Sequence, residues 1–101
     1  MSVLITAKFQ GDTAVFRQAL TDRAEELRKF AEMSRTAGAL HHRFGVGDGF
    51  VVVNDEWESA EAFQQFFSDP ALQAFIGSAG ADPSVPPEVT IAEAVASSDQ
   101  F

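Results

Sequence analysis

Residues Gly38 to Trp57 read GALHHRFGVGDGFVVVNDEW, and the rest of the chain can be placed around them. Two runs rich in β-branched and aromatic residues flank Asp48-Gly49. Asp-Gly in that setting is the strongest short-range hairpin signal, because both central residues of a type I′ turn need positive φ. A two-residue turn at 48–49 pairs residues whose numbers sum to 97, setting His42 against Asp55, Phe44 against Val53 and Leu40 against Trp57. Side chains alternate along a strand, so one face collects Phe44, Val46, Val51, Val53 and Trp57 around Leu40, His42 and Asp55. The other face carries His41, Arg43, Phe50, Val52, Asn54 and Glu56. A slip of one residue would scatter the apolar set, which supports this register and places the greasier face under helices.

Outward from the hairpin, both flanks change period. Upstream, Phe16, Leu20, Leu27 and Phe30 recur at helical spacing, with Ala24 and Ala31 between them. They predict one helix over roughly 13–36, capped by Asp12, stopped by Gly38 and ~35 Å long. Before it lies a strand, Val3 to Phe9. Downstream, Ser59 can cap a helix carrying Ala62, Phe63, Phe66 and Phe67, which Asp69-Pro70 interrupts. Proline lacks the amide hydrogen but suits a first helical position, so Asp69 should cap a second short helix, Pro70 to Ile76. The segment 77–87, GSAGADPSVPP, reads as a mobile loop, Val89 to Val95 as the last strand, and 96–101 as a disordered tail. The order is β-α-β-β-α-β over a single domain, 1–101. It predicts an α+β two-layer sandwich, a four-stranded antiparallel sheet with helices on one face.

The totals narrow the function classes. With 15 acidic residues against 7 basic ones the chain carries a net charge of −8, and no Lys/Arg cluster interrupts that field. Phosphate backbones are repelled by it, so no nucleic-acid partner is expected. Cysteine is absent, which removes disulfides and thiolate metal sites. The first apolar run is too short to span a bilayer and follows no basic segment, so the expectation is a cytoplasmic protein without membrane contact. A sheet with a wet face should alternate apolar and polar residues. Phe50-Val51-Val52-Val53 and Val3-Leu4-Ile5 do not. Apolar residues on both faces call for cover on both, and a second copy related by a two-fold axis supplies it, which predicts a homodimer.

One segment carries a resemblance. Asp55-Glu56-Trp57-Glu58-Ser59, then Glu61-Ala62-Phe63, then Ser68-Asp69-Pro70-Ala71-Leu72-Gln73-Ala74-Phe75, is similar to the third strand and following helices of the dimeric α/β-barrel superfamily. Within that superfamily the chain resembles the antibiotic-biosynthesis-monooxygenase-like proteins over residues 3–95. The resemblance implies ferredoxin-like βαββαβ subunits paired as a dimeric α/β barrel. For activity it implies cofactor-independent oxygenation of a small aromatic or polyketide-like molecule, with no cofactor. Haem-degrading members of the group carry an aromatic at the position of Trp57, an asparagine on the first strand and a histidine after the second helix. Here Trp57 is kept, residues 2–10 contain no asparagine, and Phe75 stands where the histidine would align. Haem degradation is therefore not expected. Quinone-forming members commonly use tyrosine around their substrate, and this chain has none.

Few residues remain that could carry chemistry. His41 and His42 are adjacent on a strand and point to opposite faces, so they cannot share a metal ion, and no metal site is expected. Gly45-Val46-Gly47-Asp48-Gly49 is a hairpin tip, not the strand-to-helix turn that cradles phosphate. His42, Asp55 and Trp57 meet in an otherwise apolar layer. An imidazole oriented by a carboxylate suits proton abstraction from a phenol or an activated carbon, with Trp57, Phe63 and Phe67 against the substrate. A cross-strand His–Asp pair at a strand end is, however, more often a satisfied polar contact than a catalytic dyad. Two functions stay open at this level: an enzyme using His42 and Asp55, or a non-catalytic dimer that binds a hydrophobic metabolite or fills its pocket with its own phenylalanines. The volume under the helices separates them.

Overall fold

A computed structural model describes all residues, Met1–Phe101. Strands β1 (Val3–Gln10), β2 (Ala39–Gly47), β3 (Phe50–Trp57) and β4 (Glu88–Glu93) form one antiparallel sheet in the order β2-β3-β1-β4. Helices α1 (Thr13–Asp22) and α2 (Ala24–Ala37) precede the hairpin, and α3 (Ala60–Phe67) and α4 (Pro70–Ser78) follow it. The central strands β3 and β1 bring Val51, Ile5, Ala7 and Trp57 to the face that the helices cover. The opposite face carries Leu4, Thr6, Lys8, Phe50, Val52 and Asn54, and Leu4 is exposed there.

Local chemistry sets the helix ends. The Asp12 carboxylate accepts from the amides of Ala14 and Val15, Ser59 Oγ from Ala62, and Asp69 from Ala71 and Leu72 with Pro70 beginning α4. Gly38 closes α2 at φ 127°, in the left-handed region that favours glycine.

Four expectations need correction. The single helix over 13–36 is two helices, broken where Arg23 takes φ −118° and ψ 30°. Its guanidinium lies 4.3 Å from the Phe75 ring centre, donates to Glu26 through Nε (3.0 Å) and Nη2 (2.7 Å), and also bonds Ser78 Oγ. The break thus fits α1–α2 over α4. The Arg23 hydrogen bond, aided by its charge, holds the Glu26 carboxyl below its usual range, with burial opposing. Secondly, the hairpin turn is not type I′. Gly49 takes φ 78° but Asp48 does not adopt positive φ, which is the type II pattern. Gly49 also accepts from the Gly11 amide (3.1 Å), tying the tip to the end of β1.

Thirdly, the register holds from Gly47↔Phe50 to His41↔Glu56 and only then shifts: Ala39, not Leu40, pairs with Trp57. Leu40 is the extra residue of a β-bulge and is exposed. Fourthly, α4 runs to Ser78 and β4 spans Glu88–Glu93, so the connecting loop is shorter than 77–87 and Val95 lies beyond the sheet, exposed. That loop is fastened at its start, where Asp82 N donates to Gln10 O (2.8 Å) and Asp12 N to Gly80 O (2.9 Å). Residues 96–101 belong to no regular element.

The loop crosses β1 closely. A Cβ on Gly11 would sit 2.1 Å from Gly80 O, whereas one on Gly77 would meet nothing within 4 Å. Gly11→Ala is expected to lower unfolding stability by about 1–3 kcal/mol. Gly77→Ala, inside α4, should raise it by about 0.5–1 kcal/mol. Urea titrations of the two variants check both signs.

Candidate functional site

The core is in two pieces. Near the hairpin tip Phe16, Ala19, Val51, Phe75 and Ala79 pack together, with Leu27 and Phe30 against them. At the other end of the sheet Ile5, Trp57 and Phe63 form a second cluster, joined by Phe66 and Phe67. A cavity of about 350 Å³ opens among residues from both ends, with Leu27, Phe30, Trp57, Phe63, Phe66 and Phe67 in its walls. β1 contributes Ala7 and Phe9 to the lining, and α4 contributes Leu72 and Ile76. Phe63, Phe67 and Trp57 are therefore walls and do not close the space.

Four polar side chains reach the lining: Arg28, Ser34, His42 and Asp55. His42 and Asp55 come from paired positions on β2 and β3, and His42 Nδ1 lies 2.6 Å from Asp55 Oδ1. The indole Nε1–H of Trp57, two residues along the same face, donates to Asp55 Oδ2 at 3.1 Å. Each carboxylate oxygen thus has its own donor. An ionised carboxylate only accepts, so Nδ1 of a neutral His42 must carry the proton and Nε2 keeps a free lone pair. Phe44, two residues along β2, holds the ring edge-on at 4.7 Å between centres. The Asp55 side chain is 8% exposed and that of His42 43%, so the pair joins interior to solvent.

Trp57 is 1% exposed, a rigid wall with its indole edge already bonded. Phe63 stacks on Phe67 at 5.3 Å and 18°, and Phe66 tilts against Trp57 at 5.4 Å. His41 is on the other face, across from Glu56. Phe75 is buried beneath Phe30 and Arg23. No group of three or more His, Cys, Asp or Glu side chains could hold a metal ion. Sequence reasoning missed Phe66 as a wall and Arg28 and Ser34 on α2. Leu27, Phe30, Ala31 and Ser34 follow one helical stripe, and a serine ending an apolar stripe was the available signal.

Neither a protein-family model nor a curated protein sequence matches the chain. Solved structures do. SnoaB from Streptomyces nogalater, a cofactor-independent oxygenase, superposes with a TM-score of 0.65 at 15% identity, covering 98% of each chain. Rv0793 from Mycobacterium tuberculosis gives 0.63 at 18% identity, over 98% of this chain and 100% of that one. A dimeric ferredoxin-like protein from an uncultured marine organism gives 0.65 at 12% identity, over 99% and 93%. The chain has the ferredoxin-like fold of the antibiotic-biosynthesis-monooxygenase-like proteins. On that fold, the space between sheet and helices is lined by this chain's own residues, and its chemistry has to be read from them.

The two members of the pair should differ in structural weight. Asp55→Ala leaves the buried indole N–H without an acceptor and is expected to cost about 1–3 kcal/mol. His42→Ala admits water to Asp55 Oδ1 at a half-exposed position and should cost about 0.5 kcal/mol or less. Equal losses in chemical denaturation would mean that the carboxylate has no special structural part.

Proposed function

We propose that the chain is a cofactor-independent enzyme of the monooxygenase-like type, acting on a small aromatic or polyketide-like molecule held under the helices. The observation that carries this reading is the 350 Å³ apolar cavity with a carboxylate-oriented imidazole in its wall. A space of that size is within the range of small-molecule sites, and it is lined almost wholly by apolar side chains. A chain with ten phenylalanines has side chains enough to fill it, so the space is better understood as a place for a ligand.

In this reading His42 is the catalytic base and Asp55 positions it. Nε2 takes a proton from a phenol or from a methylene activated by flanking rings, and the carbanion-like substrate adds to molecular oxygen. With a proton returned to the distal oxygen, the product is a hydroperoxide. Loss of water from the H–C–O–OH group leaves a carbonyl, so one CH2 and one O2 become one C=O and one H2O. Oxygen is the oxidant. Trp57, Phe63 and Phe67 form the wall against which a flat substrate lies. Support comes also from SnoaB, a cofactor-independent oxygenase on the same fold. A second reading keeps the ligand and drops the reaction, because His42 is the only group with a free lone pair suited to general-base work at the cavity.

A thermal-shift screen with phenols, quinones and haem identifies the ligand class by its stabilisation of the fold. With a substrate in hand, His42→Ala should abolish oxygen uptake and leave binding within a few fold. Binding without uptake in the unaltered protein would favour the second reading.

The assembly belongs to the same proposal. Leu4, Phe50, Val52 and Ala92 sit on the helix-free face among polar residues, and a second copy packed sheet to sheet covers them. Sedimentation equilibrium should return twice 10.9 kDa. Val52→Arg, on the central strand β3, should return the single-chain mass, and a monomer in the unaltered protein would remove the dimer.

A further inference from the structure

Two arginines on the helical layer near the cavity are used very differently. Arg23 donates through Nε and Nη2 to Glu26, through Nη1 to Ser78, and lies over Phe75. It is spent on the fold. Arg28 lines the cavity, and of its five N–H donors only Nη1 is engaged, with Glu25 three residues earlier on the same helix. That pair is loose in energy, since its side chains are 68% and 80% exposed and such surface pairs contribute about 0–1 kcal/mol. Arg28 is also the only permanently charged cation in the lining, in a protein with more than twice as many acidic as basic residues.

The other polar groups narrow what Arg28 could meet. Ser34 Oγ–H is turned back on Ala31 O at 2.8 Å, and both oxygens of Asp55 are occupied, by His42 and Trp57. Two groups at the cavity remain unspent, the Arg28 fork on α2 and Nε2 of His42 on β2. Everything between them is apolar or aromatic. We infer that the ligand is a flat aromatic acid, its carboxylate paired with Arg28 and its ring system among the phenylalanines. Anchoring at Arg28 fixes which edge faces His42, and the carboxylate replaces Glu25 in a pairing the fold hardly needs. Planar bidentate pairing with a carboxylate is what the guanidinium geometry favours. This inference rests on the cavity being a ligand site, as proposed above, but not on any reaction there.

The test is calorimetric binding of 2-naphthoate and its uncharged isostere 2-naphthamide at low ionic strength. Naphthoate is expected to bind roughly tenfold more tightly, the margin shrinking in high salt. Arg28→Gln should erase the difference by weakening naphthoate alone, and Arg28→Lys should restore part of it. Glu25→Gln removes the internal competitor and should tighten naphthoate while leaving naphthamide unchanged. Equal affinities for the two probes, or a preference for naphthoate that survives Arg28→Gln, would overturn the inference and leave the cavity as a neutral ligand's site. Failure of both probes to bind, in the unaltered protein and in Glu25→Gln, would overturn the cavity reading itself.

Discussion

Asp55 is an acid set on the inner face of a sheet among phenylalanines, and an acid in that position must be satisfied or the layer comes apart. The chain satisfies it from two directions. Trp57 supplies an indole N–H from the same strand, and His42 supplies a ring nitrogen from the strand beside it. Three side chains are fixed by one requirement, and the hairpin register brings them together. Because the two donors use both oxygens, the carboxylate is largely consumed in holding the other two. What it leaves available is an imidazole with one free nitrogen at the boundary between interior and solvent.

The split core follows from how the helices are cut. A single long helix on each side of the hairpin would lay a continuous apolar stripe across the sheet. Instead the first is broken at Arg23 and the second at Asp69-Pro70, so four short helices drape over the sheet in separate pieces. Arg23 packs its break onto Phe75, which concentrates one cluster near the hairpin tip. Trp57 and Phe63 concentrate the other at the far end. The space between the two is a consequence of helix geometry and not of missing side chains.

Much of this could be read from residues 38–57 alone. The Asp48-Gly49 turn fixed the pairing of His42 with Asp55, because a two-residue connection leaves only one register. The turn's own conformation was misjudged, since Gly49 alone meets the need for positive φ and Asp48 stays in ordinary territory. The bulge at Leu40 was not legible, as nothing in Ala39-Leu40-His41 distinguishes a bulged residue from a paired one. Nor was the break at Arg23, where no proline or glycine stands and the cause is a contact with Phe75, fifty-two positions later. Cavity volume is a property of packing and has no linear signature. Arg28 escaped notice because one more charged residue on a charged helix reads as solvated; only its unused donors and its place in the lining set it apart.

Likeness to SnoaB and Rv0793 at 15% and 18% identity shows how far a fold constrains chemistry. Sheet order, helix placement and the space between them depend on alternation and spacing, which survive almost complete replacement of residues. The lining does not depend on them. Any inner-face position can change its side chain without disturbing the ladder, since backbone hydrogen bonds carry the register. The same architecture can therefore hold differently lined pockets in different proteins, and here it holds a nearly apolar one with a single oriented imidazole and a single loosely tethered guanidinium. Under the proposed reading, the choice of ligand rests on those two groups and on the aromatic walls around them.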